Sequence, residues 1–278
     1  MVSIIIAAYN EEAVLGATLD ALVSGAPGAE VIVVPNGCKD GTAALARSYQ
    51  GVVVVELERG GKPSAMNAGD AVASSFPRIY LDADIQVPPG GVDALVAALD
   101  QRGIMAAVPA RTLDTSGRPW MVRAYFAINA RLPVYRDGIF GRGLIALSAA
   151  GRRRFSGFPL MVADDLFLDS LFTSDEKAHV DSLSVVIETP FTTADLIRRL
   201  VRVRRGNAAM RQVRNADSMS PPVRDADRWS WLRDVVACEP RLVFAGMAYA
   251  AITLIAALRA SVEPLDAMKW GRDNSTRR

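Results

Sequence analysis

The chain has 278 residues, 50% of them hydrophobic and 22% charged, with 32 Lys and Arg against 30 Asp and Glu and a formal net charge of +2. That composition excludes a disordered chain and leaves room for one large or two closely fused globular units with a substantial core. The near-balance of charge gives no reason to expect a nucleic-acid partner, and Cys38 and Cys238 lie far apart without metal spacing, as free thiols of a reducing cytoplasm would.

In chain order, the opening MVSIIIAAYNEE has too short an apolar run and no basic start for a secretory signal, so it reads as a strand. VSIII precedes a helical pattern from about Glu11, EVIVV one from about Asp40, and GVVVVE one from about Lys62. RIYLDAD then precedes a helix starting near Pro89, and IMAAVPA follows. Strands that are apolar throughout, alternating with helices, predict a parallel sheet covered on both faces. Ligands in such sheets bind at the carboxyl ends of the strands. Asn10, Asn36 and the pair Asp82 and Asp84 each follow a strand, so they are expected along one rim.

Beyond residue 110 the pattern is mixed, with helices near 118–132 and 164–173 around a strand at 143–148, and another strand at 180–188. Residues 198–214 hold seven arginines and no acid. The polar stretch 215–228, with two prolines, reads as a linker. Residues 242–258 are seventeen apolar or near-apolar positions bracketed by Arg241 and Arg259, at the lower limit for crossing a bilayer. Spanning, lying on a membrane and simple burial all fit that length, and basic residues on both sides choose no orientation. Trp229, Trp231 and Trp270 fit interface anchors or core.

Asp82 and Asp84 stand two apart in an extended segment, which sends both side chains to one face. Two carboxylates there suit Mg²⁺ or Mn²⁺ carrying phosphate oxygens; a turn or capping pair is the competing account. Lys62 after Gly60 and Gly61 fits a nucleotide contact or a solvated lysine. Arg198, Arg202 and Arg205 share a helical stripe that fits a diphosphate, anionic headgroups or a solvated face. His179, alone of its kind, reads as a structural residue.

VSIIIAAYNEE, VVPNGCKDGT, GGKPSAMNAG, YLDADI, MVADDLFLD and RRLVRVRRGN occur in the order seen in family 2 glycosyltransferases of the GT-A fold, which the chain resembles over residues 2–210. The resemblance implies an α/β fold with a Rossmann-like mixed sheet flanked by helices. It implies a GT-A domain at 1–214, with a nucleotide-sugar-binding half at 1–110 and an acceptor half at 111–214, then the linker and a C-terminal helical segment at 229–278. It implies metal-dependent, inverting transfer of a sugar from a nucleoside diphosphate sugar to an acceptor hydroxyl.

By the same resemblance Ala8, Tyr9, Asn10 and Glu11 contact the nucleoside, although Glu11 also suits a helix N-terminus. The family has an acid touching the base where this chain has Pro35 and Asn36; a UDP-sugar is the donor expected first, with the base left open. Asp40 fits an N-cap better. Lys62 lies near the nucleotide, Asp82 and Ala83 near the ribose or metal, and Asp84 is the stronger metal ligand. Asp165 takes the place of the catalytic base, with Asp164 orienting it. Burial and neighbouring acids would raise a base's pKa, whereas a helix start would lower it, and mere capping is the competing account.

Arg202 and Arg205 match the family's arginine motif in two registers, neither with its tryptophan. That departure, and the lack of multiple membrane helices, favours single-sugar transfer over polymer synthesis. The acceptor expected is lipid-linked or a glycan of the cell envelope or an exopolysaccharide, with the enzyme at the inner face of the cytoplasmic membrane through contact at 242–258. A catalytically silent scaffold of a polysaccharide-assembly complex is an alternative, though Asp84 and Asp165 are both present. A sugar nucleotidyltransferase is disfavoured because AAYNEEAVLG is no glycine-rich phosphate loop, and a dehydrogenase because no G-x-G-x-x-G follows a strand.

Overall fold

The computed structural model describes residues 1–160, 164–216 and 227–262. Strand β1 (Ser3–Ala8) leads to α1 (Glu12–Gly25), β2 (Glu30–Pro35) to α2 (Thr42–Arg47), β3 (Val52–Val54) to α3 (Lys62–Val72) and β4 (Arg78–Asp82) to α4 (Gly91–Leu99). There follow β5 (Ala106–Asp114), α5 (Trp120–Asn129), α6 (Pro133–Asp137), β6 (Leu144–Leu147), α7 (Ala149–Arg152) and α8 (Asp164–Ser170). The chain continues through β7 (Lys177–Glu188), α9 (Thr193–Ala216), a π turn at Trp231–Val236, a 3-10 turn at Pro240–Leu242 and α10 (Val243–Val262).

The seven strands form one sheet in the order β3-β2-β1-β4-β6-β5-β7. Ile4, Ile5 and Ile6 are fully buried, as a central strand covered on both faces requires. The first four strands pair in parallel, as their βα rhythm predicts. The sheet is mixed, as the resemblance implies: β6 enters antiparallel between β4 and β5, with Arg78 opposite Leu147 and Leu81 opposite Leu144. A short apolar run such as Leu144–Leu147 carries no information on direction by itself.

The chain divides into two compact units. The first is Met1–Thr112, Gly141–Leu160 and Leu171–Ile187, and its core joins Ile4, Ile6, Leu15, Leu19, Val33, Leu81, Leu95 and Leu144. The second comprises the described residues within Leu113–Phe140, Met161–Ser170 and Glu188–Arg278. Its core packs Val122 and Tyr125 of α5 with Leu196, Ile197 and Val201 of α9 and Ile252 and Ala256 of α10. The C-terminal helix is therefore not a separate appendage: it shares a core with residues from before the expected linker. Tyr125 and Tyr249 stack with centroids 4.9 Å apart, and burial pushes the Tyr249 hydroxyl up to about 12. Trp231 packs beside Gly246 against a neighbouring cluster of Ile128, Leu132, Val235 and Val236, whereas Trp229 is exposed. Residues 217–226 of the expected linker, and Trp270, lie outside the described residues.

Candidate active site

In the first unit, β1, β2 and β4 run parallel in register, with Ala8 opposite Pro35 and Ala7 opposite Asp82. Their carboxyl ends therefore open on one edge, which carries Tyr9, Asn10, Glu11, Asn36, Lys62, Asp82 and Asp84.

The first two loops are stapled together. Asn10, nearly buried and left-handed at φ 54°, accepts the Lys39 N–H at Oδ1 (2.7 Å). The Glu11 N–H donates to the Thr42 hydroxyl oxygen (2.7 Å), and Glu12 accepts the Gly41 N–H (2.9 Å). Asp40 accepts both the Thr42 N–H (3.1 Å) and its hydroxyl (2.5 Å); it stands one residue before the N-cap of α2, which is Gly41 and not Asp40 as expected.

Asn36 is fully buried. Its Nδ2 donates to the carbonyls of Ala8 (2.8 Å) and Val34 (3.1 Å), and its Oδ1 accepts the Gly61 N–H (2.9 Å). Both amide hydrogens are spent on main chain, so this side chain clamps three strand-end segments together and presents no donor to a base. The base contact weighed from sequence is replaced by that clamp. Gly37 makes the approach possible: its φ is 63°, and a Cβ there would sit 2.6 Å from the Gly60 nitrogen.

Lys62, the first residue of α3, places Nζ 2.7 Å from Asp82 Oδ1. Asp82 ends β4 with its side chain 40% exposed, and its N–H donates to the Gly143 carbonyl (2.7 Å). The extended segment expected to run through Asp84 stops at Asp82, and the chain turns at Ala83 and Asp84. The Ile85 N–H closes the turn on the Asp82 carbonyl (3.2 Å), and the Thr18 hydroxyl from α1 holds the Ala83 carbonyl (2.8 Å). Ala83 is buried and Asp84 is exposed.

Among the described residues, no three of His, Cys, Asp and Glu gather as a metal-binding group. The donor set at Asp82 and Asp84 is nonetheless hard oxygen and open to solvent, which fits Mg²⁺ or Mn²⁺ completed by phosphate oxygens and water. Gly143 escaped the sequence reading. At φ 64° it lies against this site, where a Cβ would meet Ile85 at 2.6 Å and Asp82 Oδ2 at 3.2 Å. The doubled glycine of Gly141-Arg142-Gly143 was the available signal. His179 has Nδ1 3.3 Å from Arg142 Nη2, a contact of the kind a structural residue makes.

The second unit carries the remaining candidates. Asp164 and Asp165 open α8, half-buried, while Met161 to Ala163 of the same motif lie outside the described residues. Asp169, further along, is buried and accepts the Ile139 N–H (3.1 Å), so it ties loop to helix. Arg202 and Arg205 are half-buried on α9, one turn apart. Arg198 is exposed and pairs with Asp195 of its own helix.

A family model described as glycosyl transferase family 2 matches residues 3–155. An uncharacterised glycosyltransferase of Mycobacterium tuberculosis is 31% identical over 170 residues, 57% of this chain and 75% of that protein. The undecaprenyl-phosphate 4-deoxy-4-formamido-L-arabinose transferase of Aeromonas hydrophila is 37% identical over 111 residues, 36% of this chain and 34% of its own. Among solved structures, a mannosyltransferase of Pyrobaculum calidifontis in complex with GDP-Man and Mn²⁺ matches with a TM-score of 0.62. That likeness covers 95% of this chain and 76% of the other, and at 22% identity it shows the fold, the GT-A mixed sheet with flanking helices.

Proposed function

The chain belongs to glycosyl transferase family 2, and on that premise we propose that it moves one sugar, with inversion, from a nucleoside diphosphate sugar to a hydroxyl of a lipid-carried or glycan acceptor. The observation that carries the donor half is the Lys62–Asp82 pair, 2.7 Å apart, beside exposed Asp84 at the carboxyl edge of a parallel sheet. An ammonium there attracts a diphosphate. Asp84 and Asp82 would hold a divalent cation, which when bound neutralises charge on the departing diphosphate.

The loop Ala8-Tyr9-Asn10-Glu11 receives the nucleoside, shaped by the staples to the second loop. Asp165 takes the proton of the acceptor hydroxyl as its oxygen bonds to the anomeric carbon, and the bond from that carbon to the diphosphate oxygen breaks. Asp164 orients Asp165, and Arg202 or Arg205 meets the diphosphate. The Aeromonas hydrophila relative, whose name specifies undecaprenyl phosphate, supports a lipid carrier as partner, one that would present a phosphate oxygen rather than a hydroxyl.

The test is purified protein offered a panel of nucleotide sugars with Mn²⁺ or Mg²⁺. Metal-dependent release of nucleoside diphosphate is expected with at least one donor, and Asp84→Ala should reduce it about 100-fold or more. Turnover with no donor, together with calorimetry showing no metal-enhanced nucleotide binding, would favour a silent scaffold instead.

A further inference from the structure

Helix α10 is apolar on the side facing solvent as well as on the side that packs. Gly246, Ala248, Ile252 and Ala256 are buried against the second unit's core. Phe244, Met247, Ala251, Leu254, Leu258 and Val262 are exposed, and they recur at spacings of three and four, which makes one continuous stripe. Phe244 is 70% exposed and Leu254 61%. No charged residue occurs between Arg241 and Arg259.

Three occupants compete for this stripe. A second copy paired helix to helix would rely on charges flanking the seam to fix its partner, and this helix has none along that length. A bilayer spanned by α10 would have to admit its packing partners, because α5 and α9 occupy the opposite face. Helix α9 carries seven arginines against one aspartate, which hydrocarbon would reject. An interface between water and lipid suits both faces: apolar side chains reach the acyl boundary while the packed side stays with the protein.

Charge selects the lipid. Arg131 and Arg241 share the single carboxylate of Glu239, and Arg259 is exposed at the far end of the helix. A local excess of guanidinium beside an apolar stripe matches anionic headgroups. We propose that α10 lies in the plane of an anionic membrane surface, seated by Phe244, Met247, Leu254, Ile255 and Leu258, without crossing it. The inference concerns where the protein sits and does not depend on which sugar it moves.

The test is flotation of the full chain with vesicles of phosphatidylcholine, alone or mixed with phosphatidylglycerol, without donor or acceptor. Binding is expected with the mixed vesicles, weaker with the neutral ones, and at least about tenfold weaker for Met247→Glu with Leu254→Glu, whose side chains are already in water. Unchanged binding by that double variant overturns the proposal. So does retention of the wild-type chain in cell membranes after alkaline carbonate, which marks a spanning helix. A dimer in vesicle-free solution that the double variant dissolves assigns the stripe to a second copy and overturns the proposal as well. Should the double variant misfold, an environment-sensitive fluorophore on Met247→Cys, in a Cys238→Ser background, reads the same event. A blue shift on adding mixed vesicles supports in-plane seating and its absence contradicts it. Failure here leaves nucleotide-sugar turnover untouched, so the two readings fall separately.

Discussion

Asn36 illustrates how a single atom exchange tests a local arrangement. Its Nδ2 faces the carbonyl oxygens of Ala8 and Val34 in a fully buried position. Asn36→Asp puts a third oxygen against two others, with no hydrogen to share when ionised. The expected cost is about 2 kcal/mol or more, read as a fall in urea midpoint, and the freed Gly61 loop should raise the KM for donor through Lys62. A midpoint unchanged within error would show that the clamp is not what holds this rim. Glu176 makes a pH-dependent case. Hydrogen bonds from Arg154, and from the Thr173 N–H, hold its carboxyl down at about 2 against some burial. Its pKa is lower folded than unfolded, so its stabilisation is present above the unfolded value and is lost as pH falls toward 2. The melting-point gap between wild type and Glu176→Gln should therefore be widest above about pH 5 and close by about pH 2. An even gap across that range would refute the assignment.

Among elements, β4 connects the donor edge to a buried charge cluster. Asp70 of α3 accepts the Tyr80 hydroxyl (3.0 Å) and the Arg152 Nε–H (2.5 Å), and lies 3.6 Å from Arg78 Nε. Burial and the Asp70 charge push the Tyr80 hydroxyl far up, so it remains a donor. One carboxylate thus joins α3, β4 and α7. Asp70→Asn leaves two arginines without a counter-charge and should cost about 3–5 kcal/mol. Adding Arg152→Met should recover part of that loss, since it removes one of the stranded charges. Chemical denaturation of the single and double variants decides it; an Asp70→Asn cost below about 1 kcal/mol would mean that solvent already screens the cluster. The same strand shows why YLDADI was only half legible. Alternation in the letters runs on through Asp84, but the strand ends at Asp82, and the turn that follows is held by a hydroxyl 65 residues earlier in the chain, Thr18, on the Ala83 carbonyl.

Across the whole molecule, legibility tracks how local the determining contacts are. Residues 1–110 announced their strands because each apolar run is bounded by its own turn and helix. The strands expected at 143–148 and 180–188 are present as β6 and β7, but their place was not legible, since β6 takes its position and direction from pairing with β4 and β5. Residues 242–258 were ambiguous for a related reason: hydropathy along one sequence cannot tell which face of a helix another helix covers, and here α5 and α9 cover one. The catalytic candidates divide between the two units, Lys62, Asp82 and Asp84 in the first, Asp164, Asp165, Arg202 and Arg205 in the second. On the proposed reaction that division has a kinetic signature. Asp84→Ala should lose metal-enhanced binding of nucleoside diphosphate and transfer together. Asp165→Asn should bind nucleotide and Mn²⁺ as wild type does, yet transfer to a hydroxyl about 10²–10⁴-fold more slowly. An acceptor phosphate is already an anion at neutral pH and needs no base, so transfer to a polyprenyl phosphate would be nearly indifferent to Asp165→Asn. Calorimetry and turnover on the two variants thus separate donor binding from proton removal. Near-wild-type transfer by Asp165→Asn to a hydroxyl acceptor would move the base elsewhere.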